Sequence, residues 1–300
     1  MSNIKLHTPV MLREVLDYLD LKPGKIIVDA TIGTAGHAKA ILERILPGGR
    51  LLGIDRDAAS LAIARQRLSE FGSACELLHG NFVDIDTLLE NLKIKKVDGV
   101  LFDLGISSFQ LADATRGFSF QSEGPLDMRM DQDSYVSAYD LVNNLNEEEL
   151  STLLWNFGEE RWHNRIARLL VQEREKELIT TTTQLAAIVA RSIPARYRHR
   201  YYRIHPATRT FQAVRIAVNR ELEVLDTAVN KAITLLEKKG RIGVISFHSL
   251  EDRAIKFAFR KAQNEGLIDI LTPKPLTPLA LEIESNPASR SSKLRAARRI

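Results

Sequence analysis

Short apolar runs alternate with longer amphipathic stretches through the first hundred residues of the chain. Runs such as Ile26–Ala30 are too short for helices and are rich in β-branched residues, so they predict buried strands. The stretches Gly36–Leu46 and Ala58–Phe71 repeat apolar residues at helical spacing and predict helices. Strands that alternate with helices form parallel sheets. We therefore predict an α/β fold with a doubly wound, mostly parallel sheet, whose first four strands are Ile26–Ala30, Arg50–Ile54, Cys75–Leu78 and Val97–Phe102.

This alternation stops after Gly105. Residues 106–135 show no sustained period, and residues 137–193 have the apolar spacing of consecutive helices. Asn146 and Glu149 have the spacing of a capping box, which opens one of these helices. A segment of this length is too long for a simple connection between a strand and a helix. We predict a discontinuous domain at residues 1–106 and 208–300, interrupted by an inserted, all-helical subdomain at residues 107–207.

Alternation returns in the last third of the chain. The apolar spacing predicts a helix with a bend over Phe211–Lys238 and a further helix over Leu250–Gln263. Between them Arg241–Phe247 predicts a fifth strand, and Ile268–Leu271 predicts a weak sixth strand. The final segment, Asn286–Ile300, contains basic residues and no acid, and we interpret it as a basic tail.

The composition is that of a globular chain, with 44% hydrophobic residues among 300. The first residues lack the apolar core of a secretory signal, and no uncharged apolar run approaches the roughly 18–20 residues of a membrane-spanning helix. We therefore expect a soluble, cytoplasmic protein. Cys75 is the only cysteine, which excludes an intrachain disulfide and a cysteine-rich zinc site. The histidines lack the spacing of metal ligands, so we predict no metal site.

Positive charge is concentrated in two segments, although the chain as a whole is nearly balanced, with 42 Lys and Arg against 38 Asp and Glu. Residues 191–209 contain arginines, tyrosines and histidines but no acid, and residues 286–300 also lack acids. Such clusters fit a local site for a polyanion. Arginines can pair with phosphates while tyrosines stack on unpaired bases. The candidate RNA-binding residues are Arg196, Arg198, Arg200, Tyr201 and Arg203.

Glycines and acids follow three of the predicted strands, whose carboxyl ends meet at one edge of a parallel sheet. Gly33 and Gly36 follow the first strand, Asp55 ends the second and Asp103 ends the fourth. Glycines let a ligand approach the backbone, and a carboxylate can accept both hydroxyls of a ribose. The loop lacks the G-x-G-x-x-G of dinucleotide sites, and the helix start at His37 suits a carboxylate. These features favour S-adenosylmethionine, with a nicotinamide cofactor as the alternative.

Longer motifs extend the pattern along the chain, among them Asp29-Ala-Thr-Ile-Gly33, Gly124-Pro-Leu-Asp-Met-Arg-Met-Asp131, His205-Pro-Ala-Thr-Arg-Thr-Phe-Gln-Ala213 and Ile245-Ser-Phe-His-Ser-Leu-Glu-Asp-Arg253. In this order they resemble the MraW-type ribosomal RNA small subunit methyltransferase H family over nearly the whole chain. The resemblance implies a Rossmann-like fold of the class I S-adenosylmethionine-dependent methyltransferases. It also implies N(4)-methylation of one cytidine in the decoding centre of the small-subunit (16S) ribosomal RNA, within an assembled or nearly assembled subunit. Members of the family can form homodimers.

The resemblance also implies which residues hold the methyl donor. Two positions depart from the family pattern, because Ala35 replaces a usual second glycine and Phe109 replaces a usual proline. We expect Ala35 to be tolerated if its φ angle is negative. We expect Phe109 to loosen or reshape the loop that carries Gln110. The implied cofactor-binding residues are Gly33, Ala35, Gly36, His37, Asp55, Phe82, Asp103 and Gln110.

An exocyclic amine is a poor nucleophile, because its lone pair is delocalised into the ring. An enzyme that methylates it must orient the amine and accept a hydrogen bond from its N–H. We expect Asp103, or a backbone carbonyl in Leu104–Ser107, to be that acceptor. Methylation of a ring carbon normally needs a cysteine nucleophile, and Cys75, at the start of a strand, is expected to belong to the core.

Two other functions are compatible with parts of the sequence. A small-molecule methyltransferase or a nicotinamide enzyme could use the same sheet, but it would leave the acid-free segment 191–209 without a purpose. A non-catalytic protein that binds RNA or assists assembly could retain the cofactor pocket. Transfer of a labelled methyl group to RNA distinguishes a ribosomal RNA methyltransferase from both of these alternatives.

Overall fold

The computed structural model describes residues 9–198 and 205–300. They form two compact units, one at Met1–Ser107 with Leu222–Ile300 and the other at Ser108–Glu221. The strands are β1 Ile26–Asp29, β2 Arg50–Asp55, β3 Cys75–His79, β4 Val97–Asp103, β5 Leu236–Ser246, β6 Ile268–Ile270 and β7 Lys293–Arg299. The helices are α1 Leu12–Tyr18, α2 Gly36–Ile45, α3 Ala58–Arg67, α4 Ile85–Asn91, α5 Ser108–Ala112, α6 Ala138–Asn144, α7 Glu147–Gly158, α8 His163–Arg174, α9 Thr182–Ser192, α10 Ala195–Arg198, α11 Thr208–Asn219, α12 Glu221–Leu235, α13 Ser249–Asn264 and α14 Ala280–Ser285.

The first unit is built on a seven-stranded sheet in the order β3-β2-β1-β4-β5-β7-β6. Strands β1 to β5 run parallel, whereas β7 is antiparallel to both of its neighbours. Successive strand residues point to opposite faces, so Ile27 and Val28 enter different apolar layers. One layer includes Ile41 of α2 and Leu61 of α3, and the other includes Phe259 of α13. The sheet is therefore doubly wound, as predicted.

The predicted basic tail is wrong, because most of it forms strand β7. Lys293–Arg299 lies between β5 and β6 in the sheet. Arg295 is buried, and its Nε donates to Asp252 Oδ1 at 2.7 Å. Lys293 Nζ also lies 3.2 Å from Asp252 Oδ2, so these charges are neutralised within the sheet unit. The basic residues here stabilise the fold.

The predicted helix over Phe211–Lys238 is divided in two at Arg220, which has a φ of 50°. Its first half, α11, belongs to the helical unit and packs against α7 and α6. The boundary after residue 207 was therefore placed too early, because the contacts of α11 extend the helical unit to Glu221. The other boundary, at Ser107, differs from the prediction by a single residue.

The helical unit begins its helices with side-chain caps. Asn146 accepts from the Glu149 N–H at 2.9 Å while Glu149 bonds the Asn146 N–H at 2.8 Å, which confirms the predicted capping box. Ser137 and Thr181 form capping boxes of the same kind at α6 and α9. Within residues 9–198 and 205–300, no helix is long and apolar enough to cross a membrane.

Candidate active site

Three acidic residues lie at the carboxyl ends of neighbouring strands in the first unit. Asp29 ends β1, Asp55 ends β2 and Asp103 ends β4. Strand β1 pairs with β2 on one side and β4 on the other, so the three ends share one edge. The chain order of the strands reverses between β1 and β4. Open α/β sheets bind their ligands in the crevice beside such a reversal.

The turn after β1 approaches this crevice through its backbone. The Ile32 N–H donates to the Ile54 carbonyl at 2.9 Å, which fixes the turn against β2. Gly33 follows with a φ of 50°, a conformation that glycine adopts without strain. A Cβ added at Gly36 would lie 3.3 Å from the Cβ of Pro9, tighter than most such contacts, so a side chain there would force Pro9 to shift.

Ala35 has a φ of 66°, so the condition on which it was expected to be tolerated, a negative φ, is not met. Ala35 is the N-cap of α2 and is fully buried. Its N–H donates to the Ile32 carbonyl at 2.8 Å, and its own carbonyl accepts from the Lys39 N–H at 3.2 Å. The turn therefore imposes the left-handed conformation, in which an alanine is strained relative to glycine.

Asp55 is held by two backbone donors. Its Oδ2 accepts from the Gly33 N–H at 2.8 Å and its Oδ1 from the Asp57 N–H at 2.9 Å. A carboxylate has about four acceptor sites, so each oxygen keeps capacity for a further donor. Burial raises the pKa of Asp55, and the two N–H donors partly oppose that shift. The side chain is thus fixed in orientation and can accept further hydrogen bonds, such as those of paired hydroxyls.

Asp103 is positioned by its neighbours but lacks one partner. Its N–H donates to Thr31 Oγ1 at 2.6 Å. Its Oδ2 lies 3.4 Å from Nδ1 of His37, whereas its Oδ1 is buried and has no hydrogen-bond partner among the described residues. Burial, together with the charge of Glu251, raises the pKa of Asp103 to about 7. A buried acceptor without a donor is the feature expected where a ligand or substrate supplies one.

His37 links this acid to the segment before α1. Its Nε2 lies 2.9 Å from the Val10 carbonyl, so Nε2 carries the hydrogen. Burial lowers the pKa of His37, which favours the neutral ring. In that form Nδ1 is an acceptor and faces Asp103. A proton held between Asp103 and His37 therefore satisfies both groups.

The edge of the sheet is acidic and poorly solvated. Asp29 is 2% exposed, and burial raises its pKa to about 7. Glu251 is also buried, at the start of α13, where it accepts from the Phe247 N–H at 2.8 Å. Buried carboxylates repel one another and favour either bound protons or a nearby cation. This arrangement favours a positively charged ligand over an anionic one.

The remaining predicted residues lie in different places. Phe82 follows β3 and packs edge to face against Phe102, with ring centroids 5.7 Å apart. Gln110 is buried on α5 and belongs to the helical unit. Arg196 is exposed on α10, where its guanidinium lies 4.8 Å from the Tyr197 ring centroid. The Arg198 side chain and residues Arg200, Tyr201 and Arg203 lie outside the described part of the structure.

Cys75 and His248 each lie at the start of a secondary-structure element in the sheet unit. Cys75 begins β3, at the opposite edge of the sheet from Asp55, and burial raises its pKa to about 11. A thiolate nucleophile at the crevice is therefore not available from Cys75. His248 is the N-cap of α13, where its Nδ1 accepts from the Glu251 N–H at 3.3 Å.

The chain matches the model of the MraW methylase family over residues 4–300. The chain belongs to this family. The ribosomal RNA small subunit methyltransferase H of Persephonella marina is 50% identical over 98% of this chain and 99% of that protein. The protein of the same name from Clostridium botulinum is 42% identical over the same shares of the two chains. A solved structure of a putative rRNA-methylase from Clostridium thermocellum aligns over 98% of this chain and 100% of its own, with a TM-score of 0.48 and 14% identity.

The cofactor of this MraW-family chain is S-adenosylmethionine, and the fold is that of the class I methyltransferases. The described residues fit this group. Asp55 offers acceptors for a ribose, and the turn leaves space beside Gly33, where an added Cβ would approach only the Thr31 carbonyl oxygen, at 3.9 Å. The buried acids at this edge suit a ligand with ammonium and sulfonium charges.

Several residues of the site were missed by the sequence reasoning. Thr31 positions Asp103, Val10 fixes the tautomer of His37, and Glu251 contributes negative charge. Asp29 lies within a family motif but was not predicted to have a role. Its place at the end of a strand, like those of Asp55 and Asp103, was a usable signal. The contacts of Val10 and Glu251 join distant segments and have no local signature.

Proposed function

We propose that this protein transfers a methyl group from S-adenosylmethionine to the exocyclic N4 amine of a cytidine in small-subunit ribosomal RNA. Membership of the MraW methylase family and the names of its relatives support ribosomal RNA as the substrate. The observation that carries the choice of an amine is the buried Oδ1 of Asp103, an acceptor without a donor among the described residues.

The bound cofactor supplies an electrophilic methyl group on a positively charged sulfur. Asp55 would hold the ribose end, and the backbone around Gly36 and His37 would hold the amino acid end. Asp103 has two uses that the geometry supports. Its Oδ1 accepts an N–H of the amine, which orients the nitrogen lone pair, and its Oδ2 faces Nδ1 of His37.

The proton balance of the transfer follows from these contacts. A carbon–nitrogen bond forms as the carbon–sulfur bond breaks, and the amine then loses one proton. Asp103 can take this proton because burial raises its pKa to about 7, and neutral His37 offers Nδ1 as a second acceptor 3.4 Å away. Cys75 is not required, since no covalent bond to the ring is formed.

RNA recognition is proposed to involve the arginines and the tyrosine predicted within residues 196–203. Cytidine must leave its stack to reach a crevice at a sheet edge, so unpaired or extruded substrate is expected. Exposed Arg196 supports a phosphate contact in this segment. Gln110, from the helical unit, is proposed to contact the cofactor.

The test is transfer of tritium from S-adenosyl-L-[methyl-³H]methionine to RNA from cells that lack this protein. Naked 16S RNA, small subunits and free nucleosides are compared, and the product is digested to nucleosides and separated. Label in N4-methylcytidine supports the proposal, and label at the ring carbon contradicts it. Cofactor binding without any transfer would instead support a non-catalytic RNA-binding protein.

A further inference from the structure

Two aromatic rings and two arginines from distant parts of the helical unit lie side by side. Arg161 and Trp162 precede α8, and Arg196 and Tyr197 lie on α10. The Trp162 and Tyr197 ring centroids are 5.2 Å apart, with their planes inclined at 44°. The Arg161 guanidinium lies 5.3 Å from the Trp162 ring centroid and 5.7 Å from that of Tyr197. Arg196 lies 4.8 Å from the Tyr197 ring centroid.

These four residues are held by their own backbone contacts. The Trp162 N–H donates to Glu160 Oε1 at 2.9 Å, and Glu160 is fully buried below the surface. The Tyr197 N–H donates to the Pro194 carbonyl at 2.8 Å. The rings are half-buried, whereas both arginines are exposed. The group is therefore anchored on its inner side and accessible on its outer side.

Across the described ranges, no carboxylate lies within salt-bridge distance of Arg161 or Arg196. The charge of Arg161 does act on Glu160, where it partly opposes the burial that raises the pKa of that carboxyl. A guanidinium stacked on a ring uses its flat face and leaves its N–H donors at the edge for an anion. By comparison, Arg168 on α8 lies 3.3 Å from Glu147, and Arg191 on α9 lies 2.7 Å from Glu173.

We propose that Arg161, Trp162, Arg196 and Tyr197 form a binding platform for single-stranded RNA, on which an unpaired base stacks while the arginines hold flanking phosphates. The two aromatic rings suit a partner with flat rings, and the two arginines suit a partner with negative charge. An acidic peptide supplies only the charge, and a duplex keeps its bases stacked inside. Arg161 and Trp162 lie outside the segment that sequence reasoning assigned to RNA. This inference rests on the proposed function and extends it by a substrate contact that is distant in sequence.

Binding of a fluorescent twelve-nucleotide oligocytidylate to the full-length protein tests the platform. Tyr197→Leu should weaken binding by about 5- to 50-fold, because base stacking on an aromatic ring is removed, and Tyr197→Phe should retain it. Arg161→Gln combined with Arg196→Gln should weaken binding about tenfold or more. The double variant should also lower the slope of log affinity against log salt by about 0.7 for each phosphate that is no longer neutralised.

The matched controls remove the same chemistry elsewhere in the helical unit. Arg168→Gln removes an exposed arginine of α8, and Trp155→Leu removes an aromatic side chain that is 55% exposed on α7. Both should bind the oligonucleotide like wild type. Urea unfolding of every variant should match wild type, which separates a binding defect from a folding defect.

Wild-type affinity in the folded Tyr197→Leu and double-arginine variants would overturn the proposal. Equal binding of polyglutamate, or an equal drop in affinity for a twelve-base-pair RNA duplex, would overturn it too, because either result means a simple polyanion surface.

The proposed methyl transfer is tested separately. Oligonucleotide binding that depends on these residues, without methyl transfer to ribosomal RNA, would refute the transfer and leave the platform. Normal transfer with an unchanged KM for RNA in the variants would refute the platform alone.

Discussion

Asp103 combines three properties that a hydrogen-bond acceptor in methyl transfer needs. Its backbone is fixed by Thr31, one of its oxygens faces His37, and the other is buried without a partner in the described structure. The pKa of about 7 arises from burial and from the charge of Glu251. The charge of this residue is therefore sensitive to pH in the physiological range.

Replacement of Asp103 tests its catalytic use. Asp103→Asn should lower turnover by about 100-fold, because general base and electrostatic assistance are removed. In wild type, kcat/KM should fall as the pH drops below about 7, since the protonated carboxyl is a weaker acceptor and cannot take up the proton of the amine. Steady-state rates between pH 5.5 and 9 measure both effects. Asp86→Asn, which removes an acid of α4 paired with Lys231, is the control and should keep normal rates.

The same pKa predicts how stability changes with pH. A carboxyl whose pKa is raised by folding stabilises the protein below its unfolded pKa, and that contribution disappears as pH rises to the folded pKa. For Asp103 this contribution to stability is lost as the pH rises from about 4 to about 7. Asp103→Asn does not titrate, so its free energy of unfolding relative to wild type should rise by about 1–4 kcal/mol across this pH range. Urea unfolding without cofactor at pH 5 and pH 8 measures it, and a constant difference would contradict the assigned pKa.

Replacement of Ala35 tests the strained turn that is proposed to contact the cofactor. Ala35→Val should lower the free energy of unfolding by about 2 kcal/mol or more, because a β-branched residue resists a φ of 66°. Ala40→Val, on the same helix in ordinary helical conformation, should cost about 0.5 kcal/mol. Thermal unfolding compares the two, and S-adenosylhomocysteine affinity should fall only for the first. Equal costs would mean that the turn adapts to the larger side chain.

At the scale of secondary-structure elements, the sequence patterns were informative where structure depends on neighbours in the chain. Strands β1 to β4 were predicted within a residue or two because each is a short apolar run bounded by turn residues. Strand β7 was missed because Arg295 is buried in it, and its partner Asp252 lies 43 residues away. No local sequence pattern predicts an ion pair between residues so far apart in the chain.

In the candidate site, too, features that depend on neighbours in the chain were predictable and features that depend on distant contacts were not. The common location of Gly33, Asp55 and Asp103 at one edge of the sheet was predictable, because each lies at or just after the end of a strand and parallel strands bring their ends together. The sign of φ at Ala35 was not predictable, since it results from the Ile32 and Lys39 hydrogen bonds of the folded turn. The contact between His37 and Val10 depends on how the segment before α1 packs.

Asn219 at the end of α11 tests how elements of the helical unit are joined. Its Oδ1 accepts from the Met130 N–H at 2.8 Å and its Nδ2 donates to the Met128 carbonyl at 2.8 Å. Asn219→Leu should lower the free energy of unfolding by about 2–4 kcal/mol, because both buried backbone groups are left without their partner. Urea unfolding measures the difference. Asn230→Ala, which removes an exposed bond to Asp226, should cost less than about 0.5 kcal/mol, and similar costs for the two would contradict this role.

On the scale of the whole molecule, the two units carry different chemistry. The sheet unit gathers buried acids at the carboxyl ends of β1, β2 and β4, and the helical unit carries the exposed arginines beside aromatic rings. The first arrangement suits a cationic small molecule and the second an anionic polymer. A net charge of only +4 conceals this separation, which is why the distribution of charge is more informative than its sum.

The central claim is that the acidic sheet edge binds a cationic methyl donor. Isothermal titration calorimetry of the full-length protein with S-adenosylmethionine, S-adenosylhomocysteine and NADH tests it most directly. We predict one saturable site for the two sulfur compounds and none for NADH, with tighter binding of S-adenosylmethionine from pH 6 to pH 8 as Asp103 and Asp29 lose their protons. Saturable binding of NADH with no binding of either sulfur compound would contradict it.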